Sequence, residues 1–106
     1  MSVSNPNKID AAAANDEELV LLITDHLRWD QYKVAHLQML QDKLNTYIRY
    51  IDRKVYLNDF PGKEFNSFII EVQFLHKYDT GFVKMIGLVK DELDKRKIRI
   101  RYSVNG

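Results

Sequence analysis

The sequence predicts an α/β (α+β) fold: a two-layer sandwich of ββαβαβ order, with a mixed four-stranded sheet and two helices on one face. Three observations predict it. Short apolar or alternating runs stand at Leu19–Thr24, Phe68–Tyr78 and Ile98–Val104. Apolar residues recur at three- and four-residue spacing in two intervening segments. Each helical segment also returns the chain for another strand. That favours parallel pairing among strands two, three and four, and right-handed crossovers stepping one way put both helices on the same face.

In chain order, residues 1–8 are polar, with Pro6 disfavouring helix before it, and read as a flexible N-terminal tail. Residues 9–106 read as a single globular domain. Ile9–Ala14 is rich in alanine but too short for an isolated helix. The polar turn Asn15–Glu18 then leads into Leu19–Thr24, so the two runs are expected to form a hairpin over about 9–14 and 18–25. From Gln31 to Lys54, Leu37, Leu40, Leu44, Tyr47/Ile48 and Ile51 draw one helical stripe, with Asp30 as its expected N-cap. Pro61-Gly62 suits the centre of a type II turn, in a loop over 55–66 that Tyr56, Phe60 and Phe65 should pin to the domain. In the third strand Phe68, Ile70, Val72 and Phe74 share one face, while Ile69, Glu71, Gln73 and Leu75 share the other. Asp79 or Thr80 caps a second helix with Phe82, Met85/Ile86, Val89 and Leu93 inward, and Gly87 is expected where that helix approaches the first. Ile98, Ile100, Tyr102 and Val104 alternate with Arg99, Arg101 and Ser103 to close the sheet.

Composition narrows the function classes. Sixteen Lys and Arg stand against 15 Asp and Glu, for a net charge of +1, which leaves no charge excess for a dedicated nucleic-acid binder. The absence of cysteine excludes disulfides, thiolate metal sites and a cysteine nucleophile, and suits a reducing compartment. The longest clean apolar run, Leu19–Ile23, falls far short of the ~20 residues of a spanning helix. The N-terminal stretch lacks the apolar core of a secretory signal, so a cytoplasmic location is expected.

Two segments carry a resemblance. Ile23-Thr-Asp-His-Leu-Arg-Trp29 and His36-Leu-Gln-Met-Leu-Gln-Asp-Lys-Leu-Asn-Thr-Tyr47 resemble an uncharacterised bacterial family of about 100 residues. In that family a strand ending in Ser/Thr-Asp-His-Leu-x-Trp leads into a His-Leu-x-x-Leu-Gln-x-Lys-Leu-Asn-x-Tyr helix. The later strand–helix–strand segments follow in matching order, so the resemblance spans roughly residues 5–104. The chain departs from the pattern at Ala11–Ala14, where related sequences carry larger strand formers. The family is a domain of unknown function, so the resemblance implies the fold and no activity, cofactor or catalytic residue.

The densest polar constellation is Asp25, His26, Trp29 and His36, with Asp30 beside it, at a strand end where α/β sheets often bind ligands. Two histidines and a carboxylate could also ligate a metal, but a cap, a turn and a helix stripe account for the same residues, so neither metal nor cofactor is expected. His76 reads as a separate strand-end histidine. Ser67 and Ser103 open and close strands without a nucleophile-elbow context, and the sequence has no P-loop, dinucleotide fingerprint or HExxH, so no catalytic residue is assigned. Lys77, Arg99 and Arg101 could form a weak nucleic-acid surface, diluted by Glu71 and lacking exposed aromatics. The more informative feature is apolarity on both faces of strands two and three: Val20, Leu22, Ile69 and Leu75 stand opposite the core set. These residues define a candidate interface. The expected function is a small cytosolic protein-interaction module, a homodimer or a binder of another protein, of immunity-like or accessory kind. The alternatives are a small-molecule-binding protein or enzyme using Asp25, His26, Trp29 and His36, and the nucleic-acid surface.

Overall fold

The computed structural model describes residues 8–105. Of the tail expected over 1–8, only Lys8 falls within the described residues. The element order is β1 (Ala11–Ala14), β2 (Glu18–Asp25), α1 (Lys33–Asp52), a 3₁₀ turn (Val55–Asn58), β3 (Ser67–Phe74), α2 (Thr80–Lys95) and β4 (Ile98–Val104). The four strands lie in sequence order, β1-β2-β3-β4. β1 runs antiparallel to β2, and β2, β3 and β4 are mutually parallel. The hairpin turn is built by Asn15, whose side-chain oxygen accepts from the amides of Glu17 and Glu18 at 2.8 and 2.7 Å.

The pleat sorts the side chains as the alternation predicts. Leu19, Leu21 and Ile23 of β2, Phe68, Ile70, Val72 and Phe74 of β3, and Ile98 of β4 pack with Leu40, Leu44 and Tyr47 of α1 and Phe82, Ile86 and Leu93 of α2 in one core. Both helices therefore cover the same face of the sheet. The loop after α1 is pinned as its aromatics predict: Tyr56 is buried with its ring 5.5 Å from those of Phe65 and Phe68. Gly62 has φ +74°, the left-handed value that a type II turn demands of its second central residue.

Three local expectations are corrected. α1 does not start on Asp30; it starts at Lys33 behind Tyr32, which sits at φ 55° and supplies no side-chain cap. Residues 26–32 form the connection in which Trp29 is buried, and helical register begins only after it. β3 stops at Phe74 rather than Tyr78, because Tyr78 turns back to pack on Phe74, Phe82 and Tyr102. Gly87 makes no close approach to α1: a Cβ there would meet open space. Of the i,i+4 pairs available on α2, Glu92–Arg96 is within ion-pair distance, at 3.8 Å, and Arg96 makes its shorter contact, 2.7 Å, to Asp52 of α1.

Candidate functional site

β2 ends on a carboxylate. Asp25 occupies the core-facing parity of Leu19, Leu21 and Ile23, so the pleat turns it inward, and it is 1% exposed. One of its oxygens accepts from the Leu27 amide at 3.0 Å, which bends the chain out of the strand. The other lies 2.5 Å from His36 Nε2. His36 is equally buried, on the α1 stripe one turn ahead of Leu40. The Trp29 ring stacks on the imidazole at 3.7 Å between centroids and 20° between planes, and tilts against Phe74. Asp25, Trp29 and His36 thus form one buried unit joining the end of β2 to the first turns of α1. Within it, Trp29 Nε1 and His36 Nδ1 are buried polar atoms with no hydrogen-bond partner among the described residues.

Outside this unit lies a cleft of about 490 Å³ whose lining includes His26, Arg28, Tyr32, His36, Met39 and His76. It sits beyond the C-terminal ends of β2 and β3, on the side where parallel sheets present their loops. The sequence-level cluster therefore divides. Asp25 and Trp29 lie behind the cleft, His36 belongs to both, and exposed His26 lines the cleft alone. His76, read from sequence as separate, joins His26 and His36 because β3 ends early and its connection folds toward α1. Among the described residues, no group of three or more His, Cys, Asp or Glu side chains is disposed to hold a metal ion.

A second buried polar unit escaped the sequence reading. Lys43, fully buried, reaches from α1 to Asp10 Oδ1 at 2.8 Å and to the Lys8 carbonyl at 2.6 Å. The Tyr47 hydroxyl accepts from the Asp10 amide at 2.8 Å and donates to the Leu22 carbonyl at 2.5 Å, bridging the open end of the β1–β2 ladder. Burial pushes the Tyr47 hydroxyl well above the usual tyrosine range, so it keeps the proton this bond uses. The signal was present: His36, Leu40, Lys43 and Tyr47 are spaced four, three and four apart, which puts a lysine in the middle of the buried stripe.

Among the described residues nothing is packed over the other sheet face, and register orders it into rows. One row runs Ala13–Val20–Ile69–Arg99 and the next Ala11–Leu22–Glu71–Arg101. The β1–β2 half is apolar and the β3–β4 half polar. Glu71 pairs with Arg101 and accepts from Gln73 at 2.9 Å, and these bonds, the Gln73 one foremost, hold its carboxyl below the usual glutamate range. Of the interface candidates, Val20 and Leu22 are half-buried on this face, Ile69 is already covered by its neighbours, and Leu75 is exposed just past the end of β3. Lys77 lies over the Tyr78 ring, and Glu71 engages Arg101, so a carboxylate interrupts the basic set Lys77, Arg99 and Arg101.

A two-layer α/β domain with one helical face, one bare sheet face and a cleft at the strand ends is the class of protein these features define. The family model described as a family of unknown function (DUF6572) matches residues 1–106, and the chain belongs to that family. No curated protein and no solved structure matches it.

Proposed function

We propose that this domain is a protein-interaction module that self-associates through the β1 side of its sheet. The observation that supports this is the contrast between the sheet's two edges. β4, at one edge, carries Arg99 and Arg101, the kind of charged side chain that deters strand addition. β1, at the other, is Ala11–Ala14, exposed throughout, with no charge or proline of its own and no strand beyond it among the described residues. Its small side chains leave a shallow depression of about 200 Å³ between Ala11, Ala13, Val20, Leu22, Glu71 and Gln73. A second copy related by a two-fold axis would pair β1 with β1 and set Val20 and Leu22 directly beside the joint, next to this depression. The role this supports is accessory or immunity-like: occupation of a partner rather than conversion of a substrate. The cysteine-free composition and the family resemblance favour the cytoplasm of a bacterium as its setting.

Hydrogen exchange tests the edge directly. Amides of Ala11–Ala14 that point away from β2 should exchange more slowly as protein concentration rises, while those of β4 do not change. Exchange at β1 that is independent of concentration counts against the proposal.

A further inference from the structure

The two edge strands are held in the sheet by different means. β4 is anchored by burial: Ile98 is 1% exposed in the core, and Ile100 and Tyr102 pack against it. β1 has no such anchor. Register sets Ala12 opposite Leu21 and Ala14 opposite Leu19, the core-facing residues of β2. All four alanines are nevertheless exposed, so among the described residues nothing is packed beneath the strand. Ordering these residues costs backbone entropy, and exposed alanine side chains do little to offset it.

What holds β1 lies just outside its two ends. At the turn, the Asn15 side chain accepts from the amides of Glu17 and Glu18. At the other end the contacts gather on Asp10. Its Oδ1 accepts from Lys43 Nζ at 2.8 Å, its Oδ2 accepts from the Thr24 amide at 3.4 Å, and its own amide donates to the Tyr47 hydroxyl at 2.8 Å. Tyr47 donates in turn to the carbonyl of Leu22, the residue paired with Ala11. Lys43 and Tyr47 stand one turn apart on α1, both fully buried, and Lys43 also donates to the Lys8 carbonyl. Ile9 adds a partly buried apolar contact. The attachment therefore runs through a buried charge pair and a hydroxyl on a helix rather than through the strand's own side chains.

We infer that Lys43, Asp10 and Tyr47 form a latch that holds β1 as a separable strand, and that this latch governs self-association by deciding whether the β1 edge is present; the second half rests on the self-association proposed above. A buried charge pair is sensitive to the loss of either member, and a strand without packing of its own opens locally, below the free energy of global unfolding. With β1 released, the domain keeps both helices, the parallel β2-β3-β4 sheet and the core between them, since no β1 residue belongs to that core.

Amide hydrogen exchange read by NMR on the full chain, with light scattering on the same samples, tests both halves in the wild type, Lys43→Met and Tyr47→Phe. In the variants, amides bonded between β1 and β2 should exchange about tenfold or more faster, while those between β3 and β4 keep their protection. A lysine or tyrosine that merely stabilised the core would instead speed both ladders alike. The variants should also scatter at the mass of one chain, still folded, where the wild type scatters at twice that mass. Tyr47→Phe removes one hydroxyl and no charge, so it gives the same reading if Lys43→Met fails to fold. Unchanged protection between β1 and β2, or equal loss in both ladders, overturns the latch. Variants with β1 open that remain dimeric overturn its control of association. A wild type at the mass of one chain refutes self-association and that control with it, whereas selective opening of β1 in the same samples upholds the latch.

Discussion

Asp25 and His36 bury a hydrogen-bonded pair with almost no solvent around it, and such pairs are sensitive to the loss of either member. His36→Ala should cost about 3–5 kcal/mol in urea unfolding, since it strands a buried carboxylate and removes the surface on which Trp29 stacks. The exposed neighbour behaves in the opposite way. Asp30 looks from sequence like a helix cap, yet α1 begins beyond it, so Asp30→Ala should change stability by less than about 0.5 kcal/mol. A large loss there would place the helix start back on Asp30. Lys43 is the converse case, a charge with none of its side chain in solvent. Lys43→Met should destabilise by about 3 kcal/mol or more by leaving Asp10 and the Lys8 carbonyl uncompensated, and pairing it with Asp10→Leu should recover much of that loss. Tyr47 adds a pH dependence whose sign is fixed. Its folded hydroxyl holds a proton more tightly than the unfolded one, so its contribution is complete below the ordinary tyrosine value of about 10 and is lost as pH rises above it. Tyr47→Phe should lower stability near neutrality and flatten the alkaline decline of the melting temperature.

At the scale of elements, α2 is the simpler helix. Asp79 caps it, and the Gly81 amide bond, more than the nearby Lys33 charge, holds the Asp79 carboxyl below the usual aspartate range. That contribution is present above the ordinary aspartate value and fades as pH falls through the lowered one. Within α2, Gly87 occupies an ordinary helical conformation with open space where a Cβ would go. Gly87→Ala should therefore stabilise the protein by about 0.5–1 kcal/mol, read as a raised melting temperature. An unchanged or lowered value would show that Gly87 serves a contact outside the chain. The same elements show what the sequence made legible. A short apolar run bounded by charge found β2, period-two alternation found β3 and β4, and the stripe from Leu37 to Ile51 found α1, because burial writes itself into residue spacing. Element ends were less legible. Asp30 has the chemistry of a cap and Tyr32 has not, yet Tyr32 is the residue that precedes the helix, at the end of the connection that buries Trp29. His76 joined the cleft for a similar reason: where β3 stops is set by the packing of Tyr78, a tertiary contact that periodicity does not encode.

For the whole molecule, sequence-order pairing and two crossovers in one direction put both helices on one face and leave the other bare among the described residues. On the bare face the apolar half lies toward β1, and Leu75 stands roughly 13 Å along β3 from the row of Leu22, beyond Glu71 and Gln73. Association through the β1 side therefore makes the two leucines respond differently, although both are exposed enough to accept a carboxylate in a monomer. Light scattering coupled to size exclusion, run on the wild type, Leu22→Asp and Leu75→Asp, is the most direct measurement. The wild type and Leu75→Asp should both elute at twice the chain mass, and Leu22→Asp should be a folded monomer, because a carboxylate at Leu22 would have to leave water inside an apolar contact. A wild type that stays at the mass of one chain at high concentration, or a Leu22→Asp variant as dimeric as the wild type, would contradict the account.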